Sequence, residues 1–162
     1  MSKLFKCCFG KRNIQSLKKL RDITYADTQI YNPEITKGKV IKVYDGDTIT
    51  IAAQLPYRKS PFYRFSIRLL GIDCPEIRTS NKIEKEVATI AKQRVEELIY
   101  NKIVTIENVQ KEKYSRILAT VKYKNKDISD ILLKERLAVP YNGKTKICPE
   151  NWMSYWKNGY MD

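Results

Sequence analysis

Four carboxylates and two arginines carry most of the chemical promise of this chain. Asp45 and Asp47 flank a glycine in "YDGDT", and Asp73 and Glu76 close the stretch "RLLGIDCPE", residues 68–76. Carboxylates that converge repel one another unless a cation sits between them, so these four point to a hard-metal site. Each motif also has a plain structural reading. "DGD" makes a turn, "DCPE" ends a strand and enters a helix, and a turn can itself carry a ligand. Arg68 precedes Asp73 by five positions, and Arg116 follows Lys113-Tyr114-Ser115. Guanidinium groups beside a cation site suit a bidentate grip on phosphate, although arginines taken singly more often line a surface. Cys74, lying between Asp73 and Pro75-Glu76, invites a third reading as a thiol nucleophile. The chain contains no histidine, which removes Cys-His, Ser-His and His-ligated metal mechanisms together. The neighbouring acids also disfavour a thiolate.

The elements that must position these residues follow from the apolar pattern. "GKVIKVYDGDTITI" reads as two strands, 39–44 and 48–52, joined across Asp45-Gly46, a strong hairpin signal between β-branched residues. "FYRFSIRLLGI" alternates with the period of a third strand. A helix is predicted to begin at Thr79-Ser80-Asn81, with Ile83, Val87, Ile90, Ala91, Val95, Leu98 and Ile99 on one face and Asn81 with Glu84 as a capping box. Strands over 102–109 and 116–123 follow, then an amphipathic helix over 127–138 capped at Asp127 or Ser129, and a short helix around 152–156. Three strands, a helix, two strands and a helix suit an α+β, mainly β, five-stranded barrel of the OB type with packed helices.

Composition bounds the partners. A 162-residue chain with 43% apolar and 30% charged residues is ordinary for a single soluble domain, but a net charge of +13 is not. A surplus of that size favours nucleic acid or an acidic membrane surface, with a solvated basic face as the plain alternative. Four cysteines at 7, 8, 74 and 148 show neither metal-type spacing nor a disulfide framework. The apolar runs fall short of the ~18 residues that a membrane span needs. Residues 1–36 read as a basic extension with no cleavable signal peptide, giving an intracellular expectation, and 37–162 as the folded domain. Ser2 replaces the glycine that N-myristoylation requires, while Cys7 and Cys8 beside lysines offer acylation and peripheral membrane contact as a second reading.

The motifs taken in order are more specific than any one of them. "YDGDT", "RLLGIDCPE", "KYSR" and "ISDILLKERLAVPY" together resemble the staphylococcal nuclease (thermonuclease) family, from about residue 37 to 141. The resemblance implies an OB barrel and Ca²⁺-dependent hydrolysis of DNA and RNA, single-stranded or denatured substrate being preferred, with 3′-phosphate products. It makes Asp47 and Asp73 direct metal ligands, Cys74 a ligand through its backbone carbonyl, and Asp45 an acid acting through water. Glu76 becomes the residue that positions or deprotonates the attacking water, and Arg68 and Arg116 the pair that holds the phosphate. Lys113, Tyr114 and Tyr141 become nucleotide contacts, and the chain is expected to act as a monomer. Cys74, Ser115 and Arg136 depart from the family's threonine and two glycines. A catalytically inactive OB module that only binds nucleic acid or a protein is the alternative; such copies usually lose part of the acid–arginine set, which is complete here.

Overall fold

A computed structural model describes residues 20–29, 31–111 and 116–161. Cys7, Cys8, Lys113, Tyr114 and Ser115 lie outside the described residues. The chain divides into two units, residues 1–31 and 32–162. In the first, a 3-10 turn, Tyr25–Asp27, is held by the Asp27 carboxylate, which accepts from both the backbone and the hydroxyl of Thr24. The second unit begins five residues before Lys37. Residues there already belong to its core and sheet: Ile35 is buried, and Ile106 N–H donates to the Thr36 carbonyl at 2.8 Å. No helix among the described residues is long and apolar enough to cross a membrane.

The larger unit is a closed five-stranded barrel of the OB type, built from β1 (Lys37–Asp45), β2 (Thr48–Gln54), β3 (Phe62–Leu69), β5 (Ile103–Lys111) and β6 (Ile117–Tyr123). Neighbours pair antiparallel in the order β3-β2-β1-β5-β6, and a parallel pairing of β3 with β6 closes the ring through Ile67↔Ile117, Arg68↔Leu118 and Leu69↔Ala119. Two-residue bridges, β4 (Ile72–Asp73) and β8 (Val139–Pro140), pair with each other, and β7 (Lys126–Asp127) pairs antiparallel with the end of β6. Among the described residues of this unit the helices are α1 (Lys82–Ile99), α2 (Ile128–Lys134) and α3 (Trp152–Asn158).

Alternation along the strands, shifted in β1 by an irregularity between Val40 and Lys42, puts Val40, Val43, Ile49, Ile51, Ile67, Leu69, Ala119 and Val121 inside. Helix α1 covers the barrel with Val87, Ala88, Ala91, Val95 and Ile99. Ile83, predicted on the same face, lies beyond the packing and is 44% exposed.

The caps refine the predicted helix ends. Asn81 caps α1 by accepting from the Ile83 and Glu84 amides, but Glu84 does not reach back to complete a capping box. Its carboxylate bonds instead to the Glu76 backbone N–H (3.0 Å) and the Thr79 hydroxyl (2.9 Å), and Thr79 takes the Asn81 N–H. Helix α2 stops well short of residue 138. Arg136, at φ 57°, occupies the left-handed position that glycine usually fills, and Leu137 N–H and Arg136 N–H return to the Leu132 and Leu133 carbonyls. The cap therefore forms without glycine, at the cost of holding a bulky residue in that region.

Two glycines matter for the rim where the acids lie. Gly71, at φ 86°, turns the chain from β3 into β4. Gly46 permits close packing: a Cβ there would stand 2.9 Å from Ala91 Cβ and 3.0 Å from Cys74 Sγ. Gly46→Ala should therefore cost about 1–3 kcal/mol through overpacking, read as a lower denaturation midpoint at unchanged slope.

Candidate functional site

The β1–β2 turn presents Asp45 and Asp47 at one rim of the barrel. Asp47 is fixed twice: its carbonyl accepts from Leu69 N–H (2.8 Å), and its Oδ1 from the Thr48 hydroxyl (2.8 Å). The register Thr48↔Arg68 brings β3 alongside, and β4 supplies Asp73 just beyond the Gly71 turn. Arg68 Nη2 then lies 2.8 Å from Asp47 Oδ2 and 2.6 Å from Asp73 Oδ1. One guanidinium nitrogen thus bridges two acids whose side chains are only 6% and 2% exposed. Glu76, three residues beyond Asp73, stands exposed at the same rim, its backbone N–H held by Glu84. The half-buried Arg116 directly precedes Ile117, the residue of β6 that pairs with Ile67, so the backbone brings Arg116 to the start of the strand adjoining that of Arg68.

Three residues that sequence reasoning left aside belong here. Lys146 Nζ lies 2.7 Å from Asp73 Oδ2 and 3.4 Å from Glu76 Oε1. Cys148 Sγ approaches the same Asp73 oxygen at 3.8 Å. Glu84 anchors the loop that carries Glu76. Nothing local marks Lys146 or Cys148, which meet Asp73 across more than seventy positions; the signal for Glu84 was spent on a capping box.

Cys74 is not a reactive thiol. It is 3% exposed, and burial, followed by the charges of Asp47 and Asp73, pushes its pKa well above the ordinary thiol value. Its sulfur lies at the underside of the β1–β2 turn, where it would meet a Cβ at Gly46. Tyr141 is half-buried at the same end; its N–H donates to the Gly71 carbonyl (2.9 Å) and its hydroxyl to the Lys144 carbonyl (3.4 Å).

The local field is strongly negative before its cations are counted. Burial raises the Asp47 pKa against the lowering effect of Arg68 and Thr48. Asp45 is raised by burial, then by Asp47 and Glu76. For Lys146, burial opposes the charged form, but Asp73 and Glu76 outweigh it and its pKa rises. The donors are carboxylate oxygens, the chemistry that a hard cation selects. As they stand, however, no three of the described His, Cys, Asp or Glu residues are grouped to hold a metal ion. The cationic positions beside Asp47 and Asp73 are taken by Arg68 and Lys146.

A small closed barrel with an acid–arginine cluster at its rim defines a class of OB-fold proteins with a site suited to phosphate chemistry. Residues 66–156, more than half of the chain, match the family model described as staphylococcal nuclease homologue, and the chain belongs to that family. The matched span takes in Arg68, Asp73, Glu76 and Arg116 but begins after Asp45 and Asp47. The chain is 35% identical over 92 residues to a probable endonuclease of Schizosaccharomyces pombe, covering 52% of this chain and 40% of that protein. It is 30% identical over 103 residues to an uncharacterized endonuclease of Haemophilus influenzae, covering 64% and 51%. A probable endonuclease of Candida dubliniensis is 31% identical over 157 residues, covering 85% and 66%. The chain therefore spans between two fifths and two thirds of the length of these relatives.

A raised folded-state pKa means that the native protein holds the Asp45 proton more tightly than the unfolded chain. The associated stability is present below the ordinary carboxylate pKa of about 3.8 and is lost as pH rises through the raised value. Asp45→Asn should accordingly raise the melting temperature of the metal-free protein at pH 7. The gain should shrink as pH falls through the raised value and be lost well below the ordinary value of about 3.8, where the wild-type carboxyl is protonated in both states.

Proposed function

We propose that the chain is a Ca²⁺-dependent nuclease that hydrolyses phosphodiester bonds of DNA and RNA with little sequence preference, leaving 3′-phosphates. The observation that carries this reading is the meeting of Arg68, Asp47, Asp73 and Glu76 at one rim, with Arg68 on a strand adjoining the one that Arg116 precedes. Family membership and relatives described as endonucleases support it.

Asp47 and Asp73 would hold the ion, with the Cys74 carbonyl and, through water, Asp45 as further contacts. Bound there, the ion supplies a positive charge that polarises the phosphate and offsets its growing negative charge. The protein supplies the rest. Glu76 orients or deprotonates the attacking water, the part a carboxylate can play where no histidine exists. Arg68 and Arg116 grip the phosphate oxygens and meet the charge that builds on them as water attacks in line. A guanidinium carries five N–H donors in a fixed fork, so holding acids and gripping phosphate are compatible roles. Lys113, Tyr114 and Tyr141 steady the neighbouring nucleotides, and the +13 charge gathers polyanions by contacts that salt weakens.

Denatured DNA incubated with the protein should be cut in Ca²⁺ and left intact in EGTA, with fragments ending in 3′-phosphates. Arg68→Ala and Glu76→Ala should each lose roughly 10²- to 10³-fold in rate, while Cys74→Thr, which keeps the backbone carbonyl, should stay active. Binding without Ca²⁺-dependent cleavage by the wild type would overturn the enzyme in favour of an OB module that only binds.

A further inference from the structure

Lys146 belongs to none of the roles above, yet it makes the shortest contact to Asp73 Oδ2. That carboxylate is almost wholly buried, with Arg68 on Oδ1 and the Lys146 ammonium on Oδ2. The same ammonium reaches Glu76 Oε1, so it spans the acid assigned to the metal and the acid assigned to water. It arrives on an irregular segment fixed at both ends. At the near end, β8 pairs with β4 and Tyr141 N–H bonds to the Gly71 carbonyl. At the far end, Asn151 caps α3 and Trp152 is buried in the core. Between them, residues 142–148 are exposed and outside any strand or helix. The lysine can leave without disturbing the barrel.

We propose that Lys146 is a resident counter-cation of the acid cluster, competing with a divalent cation for Asp73 and Glu76 and thereby setting the metal affinity of the site. This rests on the reading of Asp47 and Asp73 as metal ligands. An ammonium and a divalent ion cannot share Asp73 Oδ2 at close range, because like charges brought together in a partly buried site repel strongly. Binding of the ion is therefore an exchange: one bond to Asp73 is lost as another forms, and the loop carries the released charge out to the rim. The acids stay compensated in the metal-free protein, since a buried carboxylate without a partner is strongly destabilising.

Calorimetric titration of the full chain with CaCl₂ tests the idea. Lys146→Met should bind Ca²⁺ about tenfold tighter than the wild type, a difference equivalent to about 1.4 kcal/mol. Its metal-free form should melt at a lower temperature, and Lys146→Arg should keep near wild-type affinity because it retains a competing cation. Equal or weaker Ca²⁺ binding by Lys146→Met would overturn the proposal while leaving the metal site standing. Absence of binding by both proteins would overturn the metal reading and this inference with it. A measurement on the wild type alone guards against a variant that fails to fold. Amine acylation at Lys146, followed by mass spectrometry, should accelerate on adding Ca²⁺; an unchanged rate would also overturn the exchange.

Discussion

A single guanidinium holding two buried carboxylates is the constraint on which the rest of this site depends. Asp47 comes from the β1–β2 turn and Asp73 from β4; without Arg68 between them Asp47 would be an uncompensated buried charge and Asp73 would keep only Lys146. That requirement fixes the register of β2 against β3. With Thr48 opposite Arg68, the guanidinium reaches the acids while Ile67 and Leu69 fill the core. A slip of one residue would turn Arg68 to the other face and put its apolar neighbours in water. Core packing and site electrostatics thus demand the same alignment. Gly46 serves that alignment from beneath, since its missing side chain lets the turn settle on Cys74 and Ala91.

Much of the barrel was legible in the sequence because its signals are local. Asp45-Gly46 between β-branched runs announces the hairpin, and alternation through Ile67 and Leu69 announces β3. The five strands and the helix after the third follow from such patterns. Bounds were less legible where a long-range bond decides them. Residues 32–36 look like linker until the Thr36 carbonyl is seen to accept from Ile106, and α2 stops early because Arg136 adopts a conformation that its residue type does not advertise. Glu84 occupies the position of a capping-box residue, but the Glu76 N–H and the Thr79 hydroxyl take its carboxylate, and Thr79 takes the Asn81 N–H in its place.

The acid–arginine set was recognisable through the order of its motifs, since each acid lies beside a turn or strand end that sequence can place. How those acids are neutralised was not. Lys146 is one of many lysines in a very basic chain, with no spacing relative to Asp73 that a pattern could detect. Only the return of β8 onto β4 carries the exposed segment back over the rim. The thiol reading of Cys74 fails for a related reason: burial, which makes the sulfur a packing atom, is a property of the assembled barrel.

Closure of the ring by β3 and β6 has a kinetic side. The pairing Ile67↔Ile117 joins positions fifty residues apart, with all of α1 and β5 between them. Contacts of such sequence separation carry a large loop-closure entropy and tend to form late and slowly. Arg68 can meet Asp73 across five residues, but the strand that Arg116 precedes reaches it only when that last seam is made. Placement of the two arginines side by side is thereby tied to completion of folding, and a half-folded chain that already holds its acids would still lack the second guanidinium beside them.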